Sequence, residues 1–342
     1  MKAGAGRRRA ALSVKRPTDS VALPCVGTYG CITLHVCGLR RNLIMDEAKS
    51  YQADDGVALR YRRWQPPSRD DAPALVLLHG AASNGSRWWR FCETTRLATD
   101  HRLLRPDLRG HGGSIWRGPA RMERWSDDIV DLLNAEGLAQ AVLVGHCLGA
   151  NLAVHCAARH PQRVRALALV EPMLREALLG RLAGLRPYAP LLRMLILLIQ
   201  AANRIGLRRG RFPELDLKAL DLSFAEALAH PDGAAQLKSR YASPRHDMKN
   251  LPLAQYLENL LQVLRPPPLE RIACPTLALL SAGRYMADPA ITRRGLARVA
   301  DLSVQDIAAE HWIPTEQPTA MREAIEAFVA RLTTSTAVDV ST

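Results

Sequence analysis

Aromatic side chains are scarce in this chain: four Phe, six Trp and seven Tyr make up 5% of 342 residues, while 48% are hydrophobic overall. A basic surface that reads nucleic acid interleaves its charges with stacking aromatics or sits in a recognisable reader module. Neither pattern occurs, so the net charge of +13 points to solubility and acidic partners rather than to nucleic acid. Residues 1–44 carry eight Lys/Arg against Asp19 alone, which leaves only +6 for the remainder. The seven cysteines (Cys25, Cys31, Cys37, Cys92, Cys147, Cys156, Cys274) include no C-x-x-C pair and no Cys/His set at zinc spacing. That pattern offers no metal site and indicates reduced thiols in a cytoplasmic setting. There are no internal repeats. A charge-free run at 21–39 is broken by Pro24, Gly27, Gly30 and Gly38, so no transmembrane segment is expected. Its basic front imitates a signal peptide, but no small-x-small cleavage site follows. Residues 1–44 are therefore expected to be a disordered basic extension, with an ordinary enzyme start at Met45.

What is present is an alternation of strand and helix signals. VALRYRRW (57–64) has strand character, and the runs at 74–80, 141–146 and 165–172 read as strands, as does a further run that leads into the glycine loop of HRLLRPDLRGHGGS. Helical spacing falls at 86–98, 123–138 and 148–160. The rhythm stops at 173, resumes with a strand at 274–283, and continues through a helix at 288–300, a strand at 302–309 and a helix at 315–332. Helices of this length between strands imply a mostly parallel α/β sheet. The resulting division is a core of 45–172 and 271–334, with a leucine-rich, proline-punctuated helical insertion at 173–270 acting as a lid over the strands' C-terminal edge.

The chemistry concentrates at LVGHCLGANLAV, residues 143–154. Gly145-His146-Cys147-Leu148-Gly149 has the form G-x-C-x-G between a predicted strand and a predicted helix. A turn this tight needs residues without bulk on either side, and it raises the central side chain above the sheet. The N–H groups of the following helix favour a thiolate and an oxyanion there. Two companions lie in the right order along the chain: His79-Gly80-Ala81 after an earlier strand, and Glu310-His311-Trp312 after the last one.

Together LLHGAAS, RPDLRGHGGS, GHCLGA, the helical insertion and HWIPTEQP resemble the α/β-hydrolase superfamily, over roughly 50–332. The resemblance implies an α/β-hydrolase fold in which Cys147 is the nucleophile and His311 the base. It also implies an oxyanion hole built from the backbone N–H groups of Ala81 and Leu148. No cofactor is implied. His146 is expected to fill packing beside the strand, and His79 and His111 to bind loop backbone.

The acid is less settled. Where many members of the superfamily carry G-x-x-D, this sequence has Gly283-Arg284-Tyr285-Met286. Asp288 follows two residues later, but Asp288-Pro289 is also the signature of a helix N-cap. The alternative is Glu171, at the end of the strand after the elbow helix, and it is preferred.

A cysteine elbow forms a thioester intermediate, so activated acyl donors follow: esters, lactones and thioesters, with hydrolysis and acyl transfer both open. The expected partner is a small-molecule acyl substrate, either free or linked to CoA or a carrier protein. PLLRMLILLIQAANRIGL (190–207), followed by Arg208, Arg209 and Arg211, admits three readings. They are an acyl pocket with a basic rim for a phosphate or an acidic carrier, a lid helix packed on the core, or a membrane-surface element. The rival functional class is a non-catalytic ligand-binding or scaffolding member of the same fold. It is favoured if no carboxylate reaches His311.

Overall fold

The computed structural model describes residues 45–66, 72–225 and 233–339, and the expected 1–44 extension lies outside them. Eight strands form one sheet: β1 (Met45–Gln52), β2 (Ala58–Gln65), β3 (Ala74–Leu78), β4 (Arg102–Pro106), β5 (Ala141–His146), β6 (Val164–Val170), β7 (Thr276–Ser281) and β8 (Leu302–Ile307). Their spatial order is β1-β2-β4-β3-β5-β6-β7-β8. The β1–β2 and β2–β4 pairs are antiparallel, and the rest are parallel. Every residue of β3, β5 and β7 is buried, as expected of parallel strands covered on both faces.

The helices are α1 (Trp89–Thr94), α2 (Met122–Ala135), α3 (Leu148–Arg159), α4 (Gly180–Gly184), α5 (Ala189–Arg204), α6 (Leu217–Ala225), α7 (Gly233–Tyr241), α8 (Pro244–Asn250), α9 (Leu253–Val263), α10 (Pro289–Leu296), α11 (Ile313–Glu316) and α12 (Pro318–Asp339). Six of them, α4 to α9, fall between β6 and β7.

Two expectations need correction. The helix read over 86–98 is three pieces: a 3-10 turn at Gly85–Trp88, α1, and a second 3-10 turn at Arg96–Thr99. Thr95 is extended and its hydroxyl donates to Glu326 at 2.8 Å, so a residue far along the chain breaks the helix. Strand β1 carried no recognisable signal, because it is a polar edge strand. Its Asp46 and Glu47 pair with Arg62 and Arg63 of β2 rather than with an apolar core.

The strand order fixes where a site can form. After β3 the chain goes to one side (β4), then returns past it to the other (β5). The crevice outside the C-terminal ends of β3 and β5 is thus a topological switch point, where open α/β sheets bind ligands. His79-Gly80-Ala81 leaves β3 into that crevice, and Cys147 leaves β5 beside it.

Candidate active site

Three non-glycine residues among those described have positive φ: Ala82 (50°), Cys147 (55°) and Glu171 (52°). They follow β3, β5 and β6 in turn, beyond the C-terminal ends of three neighbouring central strands. Backbone held in this region costs energy and persists only where the surroundings impose it, often at functional sites.

The elbow around Cys147 is imposed by close backbone approach. A Cβ on Gly145 would overlap the Gly149 carbonyl and lie 2.6 Å from the Ala150 nitrogen, and one on Gly149 would lie 2.6 Å from the His79 carbonyl oxygen. Backbone cannot yield as a side-chain tip would. Gly145→Ala is therefore expected to cost about 3 kcal/mol of folding stability, at the upper end for overpacking. Gly184→Ala, which meets nothing within 4 Å, should change stability by less than about 0.5 kcal/mol. Urea denaturation of both variants checks the contrast, and equal midpoints would contradict the steric account.

Cys147 is 9% exposed and caps α3, and its N–H donates to the Val170 carbonyl at 2.9 Å. Because Val170 pairs with His146 in register, the residues after β5 and β6, Cys147 and Glu171, emerge side by side. His311 arrives from the far edge of the sheet. It follows β8, three strands from β5 or about 14 Å at ordinary spacing, so its loop must cross the ends of β7 and β6. Gly283 permits the crossing: a Cβ there would lie 2.8 Å from the Glu310 Cα.

His311 is buried and its Nδ1 lies 3.1 Å from Glu171 Oε2. The other Glu171 oxygen accepts the Ser281 backbone N–H, so the carboxylate is held from both sides. Burial alone would lower the His311 pKa, but the neighbouring Cys147 and Glu171 side chains raise it to about 10. The imidazole is thus held by the carboxylate and lines the same cavity as the thiol. A second carboxylate, Glu316, braces the loop by accepting the N–H groups of Glu310 (2.8 Å), His311 (3.3 Å) and Trp312 (2.8 Å). The sequence reading passed over both Ser281 and Glu316. The only local signal for Glu316 was an acidic residue in the first turn of a short helix that starts Ile-Pro.

The other candidates lie as follows. Asp288 caps α10, accepting from Ala290 N (2.9 Å) and Ile291 N (3.2 Å), and pairs with Arg284; it does not approach His311. Met286 lines the cavity with no group able to orient a ring. His146 is buried, with its Nε2 3.3 Å from the His311 carbonyl oxygen. His79 accepts the Leu108 N–H at Nε2 (3.1 Å) and so donates from Nδ1 to the Gly80 carbonyl (2.8 Å). His111 bonds the Leu108 carbonyl and Asn259. Burial lowers the pKa of His79 to about 4 and that of His111 to about 3, so both are neutral loop ties. Ala81 lines the cavity beside Cys147. Leu148 opens α3, where the first N–H groups have no acceptor within the helix.

A cavity of about 990 Å³ opens over Cys147 and His311. Its exposed wall is mostly apolar, with Met173, Leu179, Leu185, Leu220, Leu260 and Val263 from β6 onward. One side is fixed by a buried ion pair: Arg87 Nη1 meets Asp221 Oδ1 of α6 at 3.2 Å, and Trp89 Nε1 and Tyr241 OH donate to the same carboxylate. The inserted helices are thereby fastened to the core beside the site.

Fold and site together define an α/β-hydrolase. The α/β-hydrolase fold family matches residues 73–316, and the chain belongs to it. Lipase LipV of Mycobacterium tuberculosis is 26% identical over 272 residues, covering 77% of this chain and 94% of that protein. The sn-1-specific diacylglycerol lipase ABHD11 of Mus musculus is 26% identical over 75% of this chain and 81% of its own length. Among solved structures, the enol-lactonase of Burkholderia xenovorans superposes with a TM-score of 0.61 at 21% identity, covering 82% of this chain and all of that one.

Proposed function

We propose that this protein cleaves or transfers an apolar acyl group through a thioester on Cys147, with His311 as acid and base and Glu171 as the residue that orients it. The observation that carries the reading is a thiol, an imidazole and a carboxylate gathered at one cavity. The thiol on its strained elbow lines the same cavity as the imidazole, and that imidazole lies 3.1 Å from a buried carboxylate.

In this reading the Cys147 sulfur attacks the acyl carbonyl carbon and the thiol proton resides on His311. The carbonyl electron pair moves to oxygen, which the Ala81 and Leu148 N–H groups stabilise; one such donor is commonly worth ~2.7–4 kcal/mol. Collapse reforms the carbonyl and breaks the bond to the leaving alkoxide or thiolate, which takes the proton from His311. His311 then removes a proton from water or from an acceptor alcohol, amine or thiol, which attacks the thioester and releases the acyl product and the thiol. Glu171 stabilises the imidazolium throughout and keeps the Nδ1 proton facing itself. Asp288 is committed to its helix cap, which leaves Glu171 as the carboxylate in reach. A carboxylate beside His311 favours the catalytic reading over the non-catalytic one.

The cavity selects for the acyl side. At about 990 Å³ with mostly apolar walls it suits a medium or long chain better than acetyl. Relatives described as lipases, and a pimeloyl-[acyl-carrier protein] methyl ester esterase that is 42% identical over 98 residues, agree with an acyl ester. A p-nitrophenyl ester series tests this. kcat/KM should rise by up to about fourfold per methylene from acetyl to octanoyl, the equivalent of about 0.8 kcal/mol per buried CH2. Absence of turnover across the series and with acyl thioesters contradicts the reading.

A further inference from the structure

The positive charge of the catalytic portion is concentrated in one place. Between residues 177 and 213 there are seven arginines and no Asp, Glu, Lys or His, whereas the rest of residues 45–342 carries a net charge of −1. None of the seven forms an ion pair among the described residues. The same stretch holds eight of the twelve exposed large hydrophobic residues, including Leu197 (62%), Leu198 (61%), Ile205 (77%) and Leu207 (70%). Helix α5 buries only Ile196 and Gln200, so it packs on the core by one side and leaves most of its apolar residues exposed.

We infer that this face docks on an anionic lipid surface, with α5 lying in the plane of the interface. Charge complementarity supplies the first reason. A stretch of exposed apolar side chains interspersed with arginines, with no acidic residue of its own, matches lipid tails beneath anionic headgroups, with about 1 kcal/mol for each basic residue near the surface. Geometry supplies the second. At sixteen residues α5 is about 24 Å long, too short for a hydrocarbon core of about 30 Å, and it carries Arg193 in its second turn. No described helix is long and apolar enough to cross a membrane. Continuity supplies the third: Leu179, Arg181, Leu182, Leu185 and Tyr188, just ahead of α5, line the cavity over Cys147. An acyl chain could thus pass from the bilayer to the thiol without crossing water.

The test is co-sedimentation of the full chain with vesicles of phosphatidylcholine, with and without phosphatidylglycerol. The protein should bind only the anionic vesicles, less as salt rises. The double variant Leu191→Glu/Leu198→Glu should bind at least tenfold more weakly, and Arg204→Gln/Arg208→Gln/Arg211→Gln about 100-fold more weakly. Unchanged thermal melting verifies that these surface variants are folded. Cys147→Ala should bind like the wild type, so docking and chemistry fail independently. No binding to anionic vesicles overturns the inference. Undiminished binding by both variants overturns it too, since attraction would then lie elsewhere, as in the basic residues 1–44. A dimer in solution that Leu191→Glu/Leu198→Glu dissociates, without vesicle binding, assigns the face to a second copy instead.

Discussion

Cys147→Ala is expected to lower kcat/KM for an acyl ester by at least ~10⁴-fold, because the variant has no atom that can form the acyl-enzyme. His311→Ala should cost a similar factor, and the double variant little more than either alone, since the two groups act as one unit. The folding stability of Cys147→Ala should be close to that of the wild type or above it: the elbow conformation at φ 55° comes from the approach of Gly145 and Gly149 to backbone, not from the thiol. Steady-state kinetics with denaturation on the same preparations separates the two effects. An activity that survives Cys147→Ala within tenfold would place the nucleophile elsewhere.

Glu171→Gln carries the second large effect, and its sign follows from the imidazole. The carboxylate is one of the two groups that raise the His311 pKa to about 10, so its removal lowers that pKa. The protonated ring is the acid that releases the leaving group. The alkaline limb of the kcat/KM profile, set in the wild type by loss of the His311 proton, should therefore move to lower pH in the variant. The amide can also hold the ring in the wrong tautomer, and kcat should fall by about 10²–10⁴-fold. Stability shows the same linkage. A folded pKa above the unfolded value of about 6.5 gives stabilisation that is complete below pH ~6.5 and lost as pH rises toward 10. Glu171→Gln should flatten that slope. A limb that stays in place would show that Glu171 does not act on the ring.

The parts of this architecture that were legible in the sequence are those set by short-range sterics. Strand β5, the turn and α3 could be placed almost to the residue because Gly145 and Gly149 have a purely local reason. The capping role of Asp288 was foreshadowed by Pro289. The family match over residues 73–316 and the eight-stranded sheet agree with the α/β-hydrolase fold expected from the motifs. What stayed hidden depends on contacts distant in sequence. Thr95 breaks its helix through Glu326, and Asp221 finds Arg87 only after the inserted helices fold back. The positive φ at Glu171 has no signature in Val-Glu-Pro, although it sets the direction of the carboxylate. Nor could leucine-rich composition distinguish a buried α5 from an exposed one. Burial is decided by what else packs there, and α5 meets chiefly α9.

The central claim is that a thioester forms on Cys147, and intact-mass spectrometry after brief exposure to octanoyl thioester and octanoyl p-nitrophenyl ester tests it most directly. The account predicts a mass gain of one octanoyl group in the wild type, mapped by digestion to Cys147 and absent from Cys147→Ala. The adduct should persist longer in His311→Ala once formed, because nothing then activates water. Turnover with no adduct at any time under acid quench, or an octanoyl group on another residue, would contradict it.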